Sequence, residues 1–329
     1  MNGDPGETRE PKEIFAVNEE PRPPLRASWP ETPAKQRGRS LLFALILFLL
    51  TVLSTLAVGA QFSLAYAQNR APDFEGFLLA YAEILERPAL LLTGLPFSFT
   101  LLGILLAHEL GHYFACRYYG IAASYPYFLP APTLIGTLGA FIRIRSPIVN
   151  RKALFDVGLA GPVVGFLFAV PALALAIAFS KVVPASEVQA ELVFGEPLLS
   201  RILAALLRPE VDAADLFLHP VGRAAWVGMF ATALNLLPAG QLDGGHIVYA
   251  LTSENHRRIS MAVALALVPL SVFFWGGWMV WAVLLIVFGF RHPRLLDRWE
   301  RIDAKRRAWA VAALLIFILC FIPVPLAEP

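Results

Sequence analysis

PALLLTGLPFSFTLLGILLA, residues 88–107, runs without a formal charge directly into His108-Glu109-Leu110-Gly111-His112. Twenty apolar residues are about what a helix needs to cross the hydrocarbon core of a bilayer. His-Glu-x-x-His on that helix puts two imidazoles one turn apart on one face, with the Glu beside whatever metal they hold. Ionisable groups at membrane depth cost a few kcal/mol each. Those that persist mark function. The stretch therefore predicts a membrane helix that ends in a hydrolytic metal site.

The rest of the chain fits a polytopic membrane protein. It is 57% hydrophobic and 16% charged over 329 residues, with a mean hydropathy of +0.62. A soluble domain is about 45–50% apolar and about 25% charged. A net charge of +2 gives no argument for a nucleic-acid partner. Cys116 and Cys320 both lie in apolar stretches and form no disulfide framework or Cys-x-x-Cys site.

Residues 1–40 hold seven prolines, seven basic and seven acidic residues, a composition that predicts disorder. They put the first apolar run too far from the start for an ordinary signal peptide, so that run is expected to stay as an anchor. Spans are expected near 41–62, 89–118, 154–180, 221–238 and 308–324. The uncharged 259–290 stretch is expected to fold as a hairpin turning at Gly276-Gly277. The expected total is about seven.

Loop charges alternate as the positive-inside rule requires. The 70–87 loop carries four acids against two bases, and 181–220 carries six against three. The 117–152 stretch has five bases and no acid, and 291–307 has seven bases against three acids. This map places the N-terminus and the ends of spans two and four on the cytoplasmic side.

The end of span four is Asn235-Leu236-Leu237-Pro238-Ala239-Gly240-Gln241-Leu242-Asp243-Gly244-Gly245-His246. It brings polar groups to the same depth as His108 and His112. A catalytic zinc takes three protein ligands and one open position. Asp243 is the best candidate for the third ligand, with Cys116 and His246 as lesser ones. Gly244-Gly245 let the backbone turn sharply there, and Pro238 breaks the helix before it. Glu109 is the expected general base. Asn235 has two readings, an interhelical hydrogen bond or a hydrogen bond to the substrate backbone or the developing oxyanion. His219, His256 and His292 read as interfacial residues.

Taken together, these motifs resemble the site-2 protease family of intramembrane zinc metalloproteases. His108-Glu109-Leu110-Gly111-His112 is similar to its first motif. Asn235-Leu236-Leu237-Pro238 with Leu242-Asp243-Gly244-Gly245 is similar to its second, and Leu159-Ala160-Gly161-Pro162 to the small-residue segment between them. Phe155-Asp156-Val157-Gly158 and the wording around Asp243 look like the chloroplast EGY-type branch and its bacterial relatives.

The resemblance implies Zn2+ on His108, His112 and Asp243, Glu109 as base and Asn235 as a substrate-positioning residue. It implies a three-helix catalytic core within 88–250, and the apolar runs after it make 251–329 a unit of C-terminal membrane helices. It also implies a membrane-associated β-hairpin over 121–146, where Pro126, Pro130 and Pro132 forbid a long helix. In that hairpin Gly136, Thr137, Leu138 and Gly139 would pair with an unwound substrate segment. The implied partners are a single-span membrane-protein substrate and the bilayer, and the implied setting is a bacterial inner membrane. The longest loop, 181–220, is too short for a PDZ or CBS domain, and its 196–208 part is expected to be a helix on the membrane surface.

Two other functions compete. A non-proteolytic membrane chaperone or binder on the same fold has no need of Glu109. A metal transporter needs a polar path across the bilayer, whereas the ionisable residues here gather near one side.

Overall fold

The computed structural model describes residues 34–70, 81–184, 193–290 and 300–327, together with 292, 293, 295 and 297. The architecture is mainly helical. Four stretches, Ser40–Ala67, Pro88–Tyr118, Arg151–Phe179 and His256–Phe273, are long and apolar enough to cross a membrane by length and composition.

Nine helices are named here: α1 (Ala34–Ala67), α2 (Leu95–Tyr118), α3 (Arg151–Phe179), α4 (Leu198–Leu207), α5 (Pro220–Asn235), α6 (Asp243–Leu251), α7 (His256–Phe273), α8 (Gly277–Phe288) and α9 (Ala304–Cys320). A 3-10 turn, Pro88–Gly94, leads into α2. Helix α1 begins inside the segment expected to be disordered, and residues 1–33 of that segment lie outside the described residues. The 259–290 stretch divides after Phe273 into α7 and α8, which pack on one another. Helices α5, α8 and α9 are 16, 12 and 17 residues long, shorter than a straight span needs.

Among the described residues, three small antiparallel sheets complete the fold. Strands β1 (Tyr127–Pro130) and β2 (Thr137–Phe141) pair between α2 and α3, with Tyr127 opposite Phe141 and Pro130 opposite Thr137. The pair rests on α1, where Ser54 Oγ donates to Gly136 O at 2.6 Å and Phe48 meets Phe128 edge-on at 5.1 Å. Strands β3 (Lys181–Val182) and β5 (Leu216–Phe217) form the second sheet, and β4 (Val193–Phe194) and β6 (Leu326–Ala327) the third.

The core is built on both sides of α2 and α5. On one side Phe97, Leu101 and Leu105 of α2 meet Trp226 and Phe230 of α5 and Trp278 of α8. On the other, Ile104 of α2 and Met229 of α5 pack against Leu154, Phe155 and Leu173 of α3. Helix α2 also closes on α3 through a glycine. A Cβ on Gly111 would stand 2.6 Å from Ala160 O, inside any tolerable contact. Between membrane helices such close backbone approach is what small residues permit. Large apolar side chains such as Phe99, Leu167 and Phe179 face outward, as a protein solvated by lipid requires.

Candidate metal centre

Helix α2 brings His108 and His112 to one face, both buried. The third donor comes from a chain reversal. Helix α5 stops at Asn235, the chain turns through Leu236–Leu242, and α6 starts at Asp243. The left-handed residue in this turn is Gly240, with φ +57°, rather than the expected Gly244-Gly245. Those two glycines serve close packing inside α6. A Cβ on Gly244 would lie 2.1 Å from Leu236 O, and one on Gly245 2.5 Å from Gly240 O. They let α6 fold back against the turn and aim Asp243 at the two histidines.

The donor atoms converge. His108 Nε2 lies 3.2 Å from Asp243 Oδ2, His112 Nε2 lies 3.3 Å from the same oxygen, and the two Nε2 atoms are 3.1 Å apart. Bonds of about 2.0–2.1 Å would set the donors of a tetrahedral zinc about 3.3 Å apart. The triangle has the right size.

Its electrostatics agree. His112 Nδ1 lies 2.7 Å from Val157 O of α3. A carbonyl only accepts, so Nδ1 carries a proton, and Nε2 is the nitrogen left facing Asp243 and available to a metal. The residues fit the zinc that the sequence implied, and Val157 orients a ligand in the manner usual for metal-bound histidine.

Glycines of α3 clear the space. A Cβ on Gly161 would lie 2.1 Å from His112 Nε2, and one on Gly165 would lie 3.1 Å from the His108 ring. The small-residue segment was legible in the sequence, but this role was not. The signal was present, because Gly158, Gly161 and Gly165 recur three and four residues apart on one helix face.

Of the other expected residues, Glu109 is buried beside the donors and against the backbone N–H of Ile142, just past β2. Asn235 Nδ2 lies 3.4 Å from His108 Nε2. Gly136, Thr137, Leu138 and Gly139 form the turn and start of β2. There Thr137 is turned inward to Leu129 O and Leu138 is 71% exposed. Cys116 is buried in a separate cluster with Ile121, Ala153 and Val157. His246 turns to His292, with 2.8 Å between Nδ1 and Nε2, and does not join the donor triangle. His256 is only 2% exposed and lies 3.1 Å from Gly240 O, so it is a core residue rather than an interfacial one.

Two imidazoles, a carboxylate from a neighbouring helix and a second carboxylate within their shell make a metallopeptidase type of centre. The description "peptidase family M50" matches residues 96–275, which contain all of these groups. The chain belongs to that family, the site-2 zinc metalloproteases. It is 32% identical over 302 residues to "Probable zinc metalloprotease EGY1, chloroplastic" of Arabidopsis thaliana, covering 85% of this chain and 53% of that protein. It is 30% identical over 273 residues to "Probable zinc metalloprotease EGY2, chloroplastic" of the same plant, covering 79% and 46%. A rice relative (Oryza sativa subsp. indica), "Probable zinc metalloprotease EGY3, chloroplastic", is 28% identical over 253 residues, covering 70% and 42%. The chain thus spans about half the length of the curated relatives it matches. No solved structure matches it. The relatives are chloroplastic by name, which overturns the expected bacterial inner membrane.

Proposed function

We propose that the protein is an intramembrane zinc endopeptidase. It hydrolyses a peptide bond in or near the membrane segment of a single-span protein, as a step of regulated intramembrane proteolysis. The observation that carries this reading is the donor triangle of His108, His112 and Asp243 with Glu109 buried beside it. Zinc held there supplies Lewis acidity toward a water and a peptide carbonyl. Glu109 takes the proton of the attacking water and delivers it to the leaving amine. The Asn235 amide, next to His108, hydrogen-bonds the substrate backbone or the charge that develops on the carbonyl oxygen. A pure binder has no use for a base at that position.

A helical substrate hides its scissile carbonyl in backbone hydrogen bonds. We place the unwound segment along the β1–β2 pair at Gly136–Gly139, as a further extended strand. The nearness of Glu109 to Ile142, just past β2, supports this. Seven spans are proposed, adding α5, α8 and α9 to the four long helices, a number that keeps the basic loops on one side.

The test adds purified protein to detergent-solubilised membranes and follows new N-termini within single-span proteins. Cleavage is expected to stop when a chelator removes the metal and to return with Zn2+ but not Ca2+. Cleavage indifferent to the chelator would overturn the zinc mechanism.

A further inference from the structure

Asp243 rides on α6, a helix of nine residues. So short a helix is not stable alone, and its orientation is set by what packs on it. No side chain caps its start at Leu242. One side of α6 rests on the core, where a Cβ on Gly158 would lie 2.8 Å from His246 Cβ and Arg151 Nη2 lies 3.4 Å from Leu251 O.

The support on the other side comes from the connection between α8 and α9. His246 Nδ1 lies 2.8 Å from His292 Nε2, and the His292 ring stacks on Tyr249 with 4.2 Å between centroids. His246 and Tyr249 are three apart on one face of α6, so His292 grips the helix at two points. The tautomers follow from the partners. His292 Nδ1 lies 2.8 Å from Pro293 O, which only accepts, so Nδ1 carries the proton and Nε2 is free to accept from His246 Nδ1–H.

The residues around His292 are fixed in turn to the start of α3. Asp297 N donates to Val149 O at 2.9 Å, Lys152 pairs with Glu300 at 2.9 Å, and Arg306 Nε donates to Asp156 Oδ1 at 2.8 Å. Helix α3 is also the helix whose Val157 carbonyl orients His112. The histidine pair therefore ties the Asp243 helix to the frame that holds another donor.

We propose that His246 and His292 are positioning residues for the metal centre, their hydrogen bond holding α6 so that Asp243 meets His108 and His112. His292 lies outside the 96–275 family match, so this support belongs to the chain's C-terminal part and not to the shared core. The inference rests on the metal reading above.

The test measures Zn2+ affinity by chelator competition and records the visible d–d bands of the Co2+-substituted full chain. His246→Ala and His292→Ala are expected to weaken Zn2+ binding on the order of 10–100-fold and to shift the Co2+ bands. His246→Asn keeps a donor where Nδ1 stood, and His292→Gln keeps an acceptor where Nε2 stood. Both are expected to restore affinity and spectrum, whereas His292→Asn is not. Wild-type affinity and spectrum in the alanine variants would overturn the proposal. So would weakened binding, or failure to fold, that the matched amides do not repair. A wild-type chain that takes up neither ion would sink the metal reading itself, a result distinct from the other two.

Discussion

At the scale of single residues, the centre depends as much on missing atoms as on ligands. A Cβ on Gly161 would stand 2.1 Å from His112 Nε2. Gly161→Ala is therefore expected to abolish zinc binding while leaving helix content nearly unchanged. Metal analysis and circular dichroism of the purified variant check this, and full zinc occupancy would contradict it. Side-chain chemistry at this scale was legible in sequence. His108, His112, Asp243 and Glu109 stood out by residue type and spacing, and the structure gathers them. Less legible were groups whose role arises only through space. The Val157 carbonyl that orients His112 belongs to a backbone present in every residue. His292 was read from its charged sequence neighbours, yet its partner His246 is 46 positions away.

At the scale of elements, the breaks matter more than the helices. Helix α5 ends at Asn235 and α6 begins at Asp243 because the chain reverses at Gly240 and two glycines permit close return. Pro238 announced a break, but the sequence did not show whether the turn lay at Gly240 or at Gly244. Both offer the same freedom, and tertiary packing chose. Outside the core, α9 is joined to α2 and α3 by one arginine. Arg306 reaches Asp156 of α3 at 2.8 Å, Tyr119 just after α2 at 3.1 Å, and Asp303. Asp303 also caps α9, and the Arg306 N–H that it accepts holds its carboxyl below the usual range. Arg306 and Asp156 are partly exposed, so solvent screens their pair, and Arg306→Ala is expected to cost about 1 kcal/mol. Arg306→Lys restores little of it, because an ammonium lacks the planar fork. Thermal unfolding in detergent measures both, and an unchanged midpoint in Arg306→Ala would contradict the assignment.

At the scale of the whole molecule, composition announced a membrane protein and the alternating loop charges gave a consistent threading. Four helices meet the length that threading needs. The shorter α5, α8 and α9 lie in the stretches expected near 221–238, 259–290 and 308–324, but hydropathy marks apolar runs and not where a chain turns within them. The fold places the His108, His112 and Asp243 group among helices whose outer faces are apolar, an arrangement that suits the proposed substrate arriving through the bilayer. The most direct measurement replaces the chain with Glu109→Gln in its own membranes. That substitution keeps the shape of the side chain and all three donors but removes the proposed base, a group that typically contributes about 10²–10⁴-fold in rate. Quantitative membrane proteomics is expected to show full-length single-span proteins accumulating, with zinc still bound to the variant. Membrane proteomes indistinguishable from wild type, with zinc retained, would contradict the account.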